Sequence, residues 1–289
     1  LLSLDTKAGG LDLRQVFREP VALDYLQGVI RMRASPERWR LESDRLLVKN
    51  PDATGQAVLR VDIPRADPHA AELSLMARLT NARVASTWRY VPWPPAGDKA
   101  IDWLRRALVA GTVTQGDFLF DGPVSHRDGQ PPMRQLMRFE VSGATLDYLP
   151  GWPALQKLDG VVTIDGRSLK VEGQQASLLD ATVAHALRAD IPDLRHPRLA
   201  VSGDLQSSGP DLVRLFKESP LRGYTGSLAE ILQIKGALLG QLMLDIPLAA
   251  QTHTADVSVK ARLDENQLVL PGQSLLVDGL RGEVRYSTK

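Results

Sequence analysis

The chain contains no cysteine. That removes disulfides, thiolate-bound zinc and thiol nucleophiles from its chemistry, and it suits any redox compartment, an oxidising one included. Aromatic residues are scarce, at 5 %, and Trp39, Trp88, Trp93, Trp103 and Trp152 stand singly, without the interleaved basic residues of a base-stacking platform. Neither sign of charge prevails: 35 Lys and Arg face 34 Asp and Glu, for a net charge of +1. No basic arm or acidic tail breaks the mixture, so no electrostatic footprint for nucleic acid is present. No run reaches the ~20 apolar residues that a membrane-spanning helix needs. The start, LLSLDTKAGG, has neither the charged opening nor the long apolar stretch of a secretory signal. It reads as a cut into a longer protein, with any anchor or signal outside the chain.

What the sequence has is alternation. Leu59, Val61 and Ile63 alternate with Arg60 and Asp62; Leu73, Leu75, Ala77 and Leu79 alternate with polar residues and Met76. Leu187, Ala189 and Ile191 repeat the pattern, as do Val257, Val259, Ala261 and Leu263. Each run places apolar residues on one face of a strand and polar ones on the other. Turn chemistry separates the runs at Asn50-Pro51-Asp52, Ser142-Gly143, Asp165-Gly166, Pro271-Gly272 and Asp278-Gly279. Such spacing predicts antiparallel sheet with short connections rather than βαβ crossovers.

Small units recur along the chain. Strands end in Asp-Ile-Pro at Asp62–Pro64, Asp190–Pro192 and Asp245–Pro247. LDYLPG followed by LDGVVTI is echoed by LVLPG followed by LRGEVRY. In that echo Asp159 corresponds to Arg281, so a carboxylate is not required there, and Asp159 and Asp165 read as turn residues rather than a catalytic pair. A unit unable to bury its own apolar face argues for stacked repeats. With 289 residues, one segment is expected, with sub-units near 1–95, 96–208 and 209–289. Helices are few. Residues 97–111 carry Ile101, Leu104 and Leu108 on one stripe, Arg105 and Arg106 opposite, and Gly111 as a stop. A second helix follows Gly209, with Pro210 in its first turn. GSLAEILQI after Thr225 and LDLRQVFRE before Pro20 are weaker candidates. The Pro-rich WRYVPWPPAG reads as a stiff linker into the first helix.

Catalytic constellations are missing. There is no G-x-S-x-G elbow, no H-E-x-x-H and no phosphate-binding glycine loop. His69, His126, His185, His196 and His253 show no ligand spacing. Neither a metal nor a cofactor is expected, and the chain is not read as an enzyme. A carbohydrate-active protein working through Asp/Glu pairs is poorly served by so few aromatics and such scattered acids. The imbalance is physical: many strands offer one apolar face each, and few helices are available to cover them. The sheet must fold on itself, close, or present an apolar surface to something else. An acyl chain on such a surface gains about 0.8 kcal/mol per buried CH₂.

The ordered set Tyr90-Val91-Pro92, IDWLRRALVAG, TVTQGDFLFDGPV, FEVSGATLDYLPGWPAL and LDGVVTIDGRSLKVEG resembles the AsmA-like envelope proteins, within them the YhdP branch. GQLMLDIPL and LDENQLVLPGQSLLVDGLRGEVRYS extend the likeness to the C-terminus. The resemblance implies a periplasmic segment of a Gram-negative protein anchored in the inner membrane. It also implies an extended, twisted antiparallel sheet whose hydrophobic groove conducts phospholipid passively toward the outer membrane, with the membranes engaged by parts outside this chain. On that reading the alternate apolar residues line the groove: Phe118, Phe120, Phe139, Val141, Leu146, Tyr148, Val162, Ile164, Leu169, Val171, Leu199, Val201, Leu242, Leu244, Ile246, Val257 and Val259. The fold expected is mainly β, with a few short helices. The alternative is a structural or protein-interaction β-sandwich whose apolar faces meet each other.

Overall fold

The computed structural model describes residues 1–12, 14, 16–92, 96–125, 133–179, 182–219, 233–248, 256–270 and 275–288. Sixteen strands share one hydrogen-bonded sheet. They are β1 (Leu2–Leu11), β2 (Val21–Ala34), β3 (Arg38–Ser43), β4 (Leu46–Lys49), β5 (Thr54–Pro64), β6 (Glu72–Arg83), β7 (Leu108–Pro123) and β8 (Arg134–Leu146). There follow β9 (Leu155–Asp165), β10 (Ser168–Leu178), β11 (Thr182–Ile191), β12 (Arg198–Ser208), β13 (Gln233–Lys235), β14 (Ala237–Pro247), β15 (Asp256–Leu270) and β16 (Leu275–Ser287). Strand order follows chain order almost throughout: β4 continues the line of β3 between β2 and β5, and β13 and β16 both pair with β15. Neighbouring strands thus pair as a meander within one hydrogen-bonded sheet.

Two compact units divide it. One comprises Leu1–Arg105, Thr112–Val141 and Val162–Gly166; the other comprises Arg106–Gly111, Ser142–Val161 and Arg167–Lys289.

Helix α1 spans Asp98–Ala107 and α2 spans Gly209–Lys217. The expected apolar stripe of α1 is present, with Ile101 only 1 % exposed, Leu104 half-buried and Arg105 and Arg106 in solvent. Its end falls earlier than the sequence suggests. Leu108 already opens β7, and Gly111 (φ 114°) is not a helix stop but a kink inside that strand. A Cβ there would lie 2.6 Å from the Ala144 Cα, so close backbone approach requires the glycine. Helix α2 starts as expected, with Pro210 in the first turn and the Ser208 hydroxyl accepting from the Asp211 N–H. Of LDLRQVFRE, Leu11 ends a strand and the other described residues form turns and bends; no helix is present among them. GSLAEILQI lies outside the described residues, apart from Gln233 and Ile234 in β13.

Two expected turns are bulges instead. Ser142-Gly143 lies within β8 and Asp278-Gly279 within β16, each glycine in the left-handed region (φ 62° and 64°). A left-handed residue inside a paired strand adds one residue to that strand and bends it, without reversing the chain. Asp159 is corrected with them. It is a β9 residue, and its carboxylate accepts from the Ser142 hydroxyl and the Gly143 N–H, both at 2.8 Å. It fastens the bulge of the preceding strand. The echo noted in the sequence reproduces the device. Glu265 is left-handed (φ 56°) in β15, and Arg281 of β16 pairs with Glu265 and, at 3.4 Å, with Asp264. Gly143, Lys157 and Asp159 precede Glu265, Gly279 and Arg281 by one common interval, and Lys157 and Gly279 are also left-handed. The clamp is conserved within the chain while its charge is reversed. Asp165-Gly166, by contrast, is the β9–β10 turn expected, with Gly166 at φ 55°.

Candidate apolar binding face

In the first unit, cross-strand register sorts the side chains cleanly. Directly opposed residues of an antiparallel pair share a face. Leu41 opposes Val61 and Val61 opposes Leu73; Leu59 opposes Leu75, which opposes Phe120; Ala77 opposes Phe118. Phe118 meets Phe139 edge-on, with ring centroids 5.2 Å apart. This produces an apolar ladder from β3 to β8. Its members are half-buried, shielded by their neighbours in the sheet but not closed over as a packed core would be.

The opposite face carries the charge, together with an exposed apolar trio, Val58, Met76 and Leu119, opposed across β5, β6 and β7. Arg40 Nε donates to Asp62 at 2.7 Å, Arg78 Nε to Asp117 at 2.6 Å, and the Ser74 hydroxyl to Asp121 at 2.7 Å. The exposed Arg78–Asp117 and Ser74–Asp121 pairs add little stability but mark that side as wet, whereas Asp62 is itself buried.

One polar hub at the edge of this unit escaped the sequence reading. Asp52, 4 % exposed, follows the Asn50-Pro51 turn. Its carboxylate accepts from Arg83, Ser86, Tyr90 and Arg89, while Asn50 Oδ1 accepts the N–H groups of Asp52 and Ala53. Burial acts to raise the Asp52 pKa and is the largest single influence. The hydrogen bonds from Ser86, Tyr90 and Arg83, with the Arg83 charge, outweigh it and hold the carboxyl below its ordinary value. Burial, followed by the Asp52 hydrogen bond and charge, pushes the Tyr90 phenol well above its own. Every acceptor is satisfied, so the hub fastens the 50–53 turn to residues 83–90. The linker reading of WRYVPWPPAG changes accordingly: Trp88 and Arg89 end a two-turn 3-10 helix (Val84–Arg89), and Tyr90 is pinned. Trp93, Pro94 and Pro95 lie outside the described residues.

In the second unit the register again gathers one face. Leu169 opposes Ile191 and Val171 opposes Ala189, which opposes Val201; Leu199 opposes Ile246; Val201 opposes Leu244, which opposes Val257; Leu242 opposes Val259. Here part of the face is covered. Leu244, Ile246 and Val257 are buried, and Leu149 and Trp152 from the β8–β9 connection pack against them beside Leu199, Val201, Leu242 and Val259. That connection belongs to strands separated from β14 by β10, β11 and β12. On a flat sheet β9 and β14 would lie about 19 Å apart, so the sheet of this unit curls with its apolar face inside. Tyr148 stands at the base of the same connection, its ring centroid 6.4 Å from that of Trp152.

The sequence-predicted lining residues therefore fall into two sets. Phe118, Phe120, Phe139, Val141, Val162 and Ile164 belong to the first unit and are all half-buried. Leu146, Tyr148, Leu169, Val171, Leu199, Val201, Leu242 and Val259 are half-buried members of the second, in which Leu244, Ile246 and Val257 are buried. Along β9, Leu158, Gly160, Val162 and Ile164 share one side by alternation, and Leu158 reaches Gly173 across β10, on the face of Leu187. Leu59, Val61, Leu73, Leu75 and Leu79 were left off the lining set although their alternation was plain. Leu149 and Trp152 carried no periodic signal, since a covering loop has none.

Among the described residues, no group of three His, Asp or Glu side chains gathers as a metal site, and no helix is long and apolar enough to cross a membrane. What the fold and the faces define is a meander protein whose half-buried apolar ladders back onto a side of mixed charge and exposed apolar residues, with the apolar ladders as its distinctive chemistry. The YhdP protein family model matches residues 1–289, and the chain belongs to that family. Among characterised relatives it is similar to the "Intermembrane phospholipid transporter YhdP" of Escherichia coli (strain K12). The two are 26 % identical over 293 residues, covering 99 % of this chain but only 22 % of that relative's length. No solved structure matches.

Proposed function

We propose that this chain is a stretch of a passive phospholipid conduit, with acyl chains lying along the apolar face as in a hydrophobic groove. The observation that carries the reading is the half-buried ladder from Leu41 to Phe139, continuous across adjacent strands and backed by a charged opposite face. The phospholipid transporter named among its relatives supports the choice of ligand. Each methylene removed from water contributes about 0.8 kcal/mol, so half-covering some sixteen of them yields about 6 kcal/mol. That holds a lipid without trapping it. The work is non-catalytic and needs no cofactor. Placement in the periplasm, with an inner-membrane anchor and contact to the outer membrane through other parts of a longer protein, belongs to the same proposal.

The direct test is native mass spectrometry and lipid extraction of the gently purified chain. Retained phospholipid is expected. A lipid-free chain that also fails to take up phospholipid from vesicles would refute the reading and favour a protein-interaction module.

A further inference from the structure

We propose that the Leu149–Trp152 turn is a hydrophobic lid over the β12–β14–β15 part of the apolar face, which an acyl chain must displace in order to occupy it. The proposal rests on the lipid reading above. The lid is built as a stiff tip on a short base. Leu149-Pro150-Gly151-Trp152 forms a type II turn: the Trp152 N–H donates to the Leu149 carbonyl at 3.1 Å, proline holds the second position, and Gly151 at φ 80° holds the third. At the base, the Asp147 N–H donates to the Ala107 carbonyl at 2.8 Å, tying the connection to the end of α1. Tyr148 packs its ring beside Trp152, and burial raises its pKa, as in a largely dry setting.

The tip meets the sheet through apolar side chains. Where Leu149 and Trp152 sit, Leu244, Ile246 and Val257 are closed off; on the same strands Leu242 and Val259 remain half-buried. The cover thus accounts for the burial at this end of the face; Leu238, Ala261 and Leu263, further along the same strands, are also buried but lie outside the lidded cluster. It offers the surface what a hydrocarbon chain would offer, with no charge at residues 149–153. It comes from strands remote from β14 in the sheet order, so it can withdraw without breaking a ladder pairing. An acyl chain and the lid compete for one surface.

The absence of cysteine makes the test clean. A single thiol is introduced by Val257→Cys, at a position buried beneath the lid, and its maleimide labelling rate is compared with and without Trp152→Ser. In parallel, a phosphatidylcholine carrying a diazirine in its acyl chain is photolysed with each protein, and crosslinked peptides from β14–β15 are counted against those from β5–β7. The lid predicts labelling at least tenfold faster in the Trp152→Ser background. It also predicts a several-fold rise in β14–β15 crosslinks relative to β5–β7, whose ladder residues are half-buried. Unchanged labelling, or an unchanged crosslink ratio, overturns it. Faster labelling with no lipid crosslink on any strand refutes the lipid reading, and the lid's ligand with it. Leu149→Ser serves as the second variant should Trp152→Ser lose the parent's circular dichroism, and Trp152→Phe should keep the cover closed.

Discussion

Replacing Asp52 by alanine should be among the most damaging single changes available in the first unit. The carboxylate accepts from Arg83 Nε at 3.0 Å, Ser86 at 2.8 Å, Tyr90 at 2.8 Å and Arg89 at 3.4 Å, from a side chain almost sealed from solvent. Hydrogen bonds to a charged group each contribute about 1.5–3 kcal/mol net, but they are not additive here. Arg83 and Arg89 are well exposed and would recover water, which lowers the loss. Tyr90 is only half-buried but would lose its acceptor. About 3–4 kcal/mol is the expected cost, within the range for breaking a buried pair. With a urea slope of about 3 kcal/mol/M, the midpoint should fall by about 1 M. Asp52→Asn keeps the shape and part of the acceptor capacity, and should cost about half as much.

The pH dependence carries its own sign. The folded pKa is depressed, so the carboxylate's contribution is complete above the unfolded value of about 3.9 and is lost as pH falls through the lower folded value. Chemical denaturation at pH 7, 4 and 3 should therefore show the gap between parent and Asp52→Asn closing only at the acid end. A midpoint shift below about 0.2 M for the alanine variant, or a gap that does not narrow in acid, would refute the account of the hub.

Three further outcomes follow from the bulges and the first helix. Asp159→Ala removes two partly solvated hydrogen bonds from the Gly143 bulge and should cost about 1–2 kcal/mol in denaturant titrations; Asp159→Asn, which keeps an acceptor, should cost less. Arg281→Ala, at the equivalent clamp between exposed groups, should cost under about 1 kcal/mol. Ile101→Ala empties a fully buried site and should destabilise α1 by about 2–5 kcal/mol, seen as faster amide exchange over 98–107; Arg105→Ala should leave exchange there nearly unchanged.

Much of this architecture was legible because the period-two signal is strong in nearly every strand. Leu59–Ile63 and Leu73–Leu79 announce both their strands and their faces, and sequential pairing then fixes the sheet order. Bulges were misread as turns because Ser142-Gly143 and Asp278-Gly279 have the composition of either; only pairing on both sides distinguishes them. Asp159 followed the same error, since a carboxylate beside glycine also suits a turn. The length of α1 was overestimated because Leu108-Val109-Ala110 extends its stripe, whereas pairing within β7 claims those residues. Asp52 gave no sign of its partners, which come from residues distant in sequence. Trp152 was visible as a lone aromatic in a Pro-Gly turn, but what it covers depends on the curl of the sheet, which no local pattern encodes.

The central claim is that the apolar face carries hydrocarbon, and strand β9 allows it to be tested with neighbouring residues. Val162 lies on the side of Leu158 and Ile164, Thr163 on the other, and both are half-buried. A carboxylate at Val162 must be desolvated against an acyl chain, at a cost of several kcal/mol, whereas the same charge at Thr163 meets no lipid. Phospholipid retained per chain should therefore be measured for Val162→Asp and Thr163→Asp, with circular dichroism confirming the fold of each. The account predicts a several-fold loss of bound phospholipid in the first and parental levels in the second. Equal occupancy in two folded variants would contradict it, and unfolding of Val162→Asp alone would show that face to be a packed core.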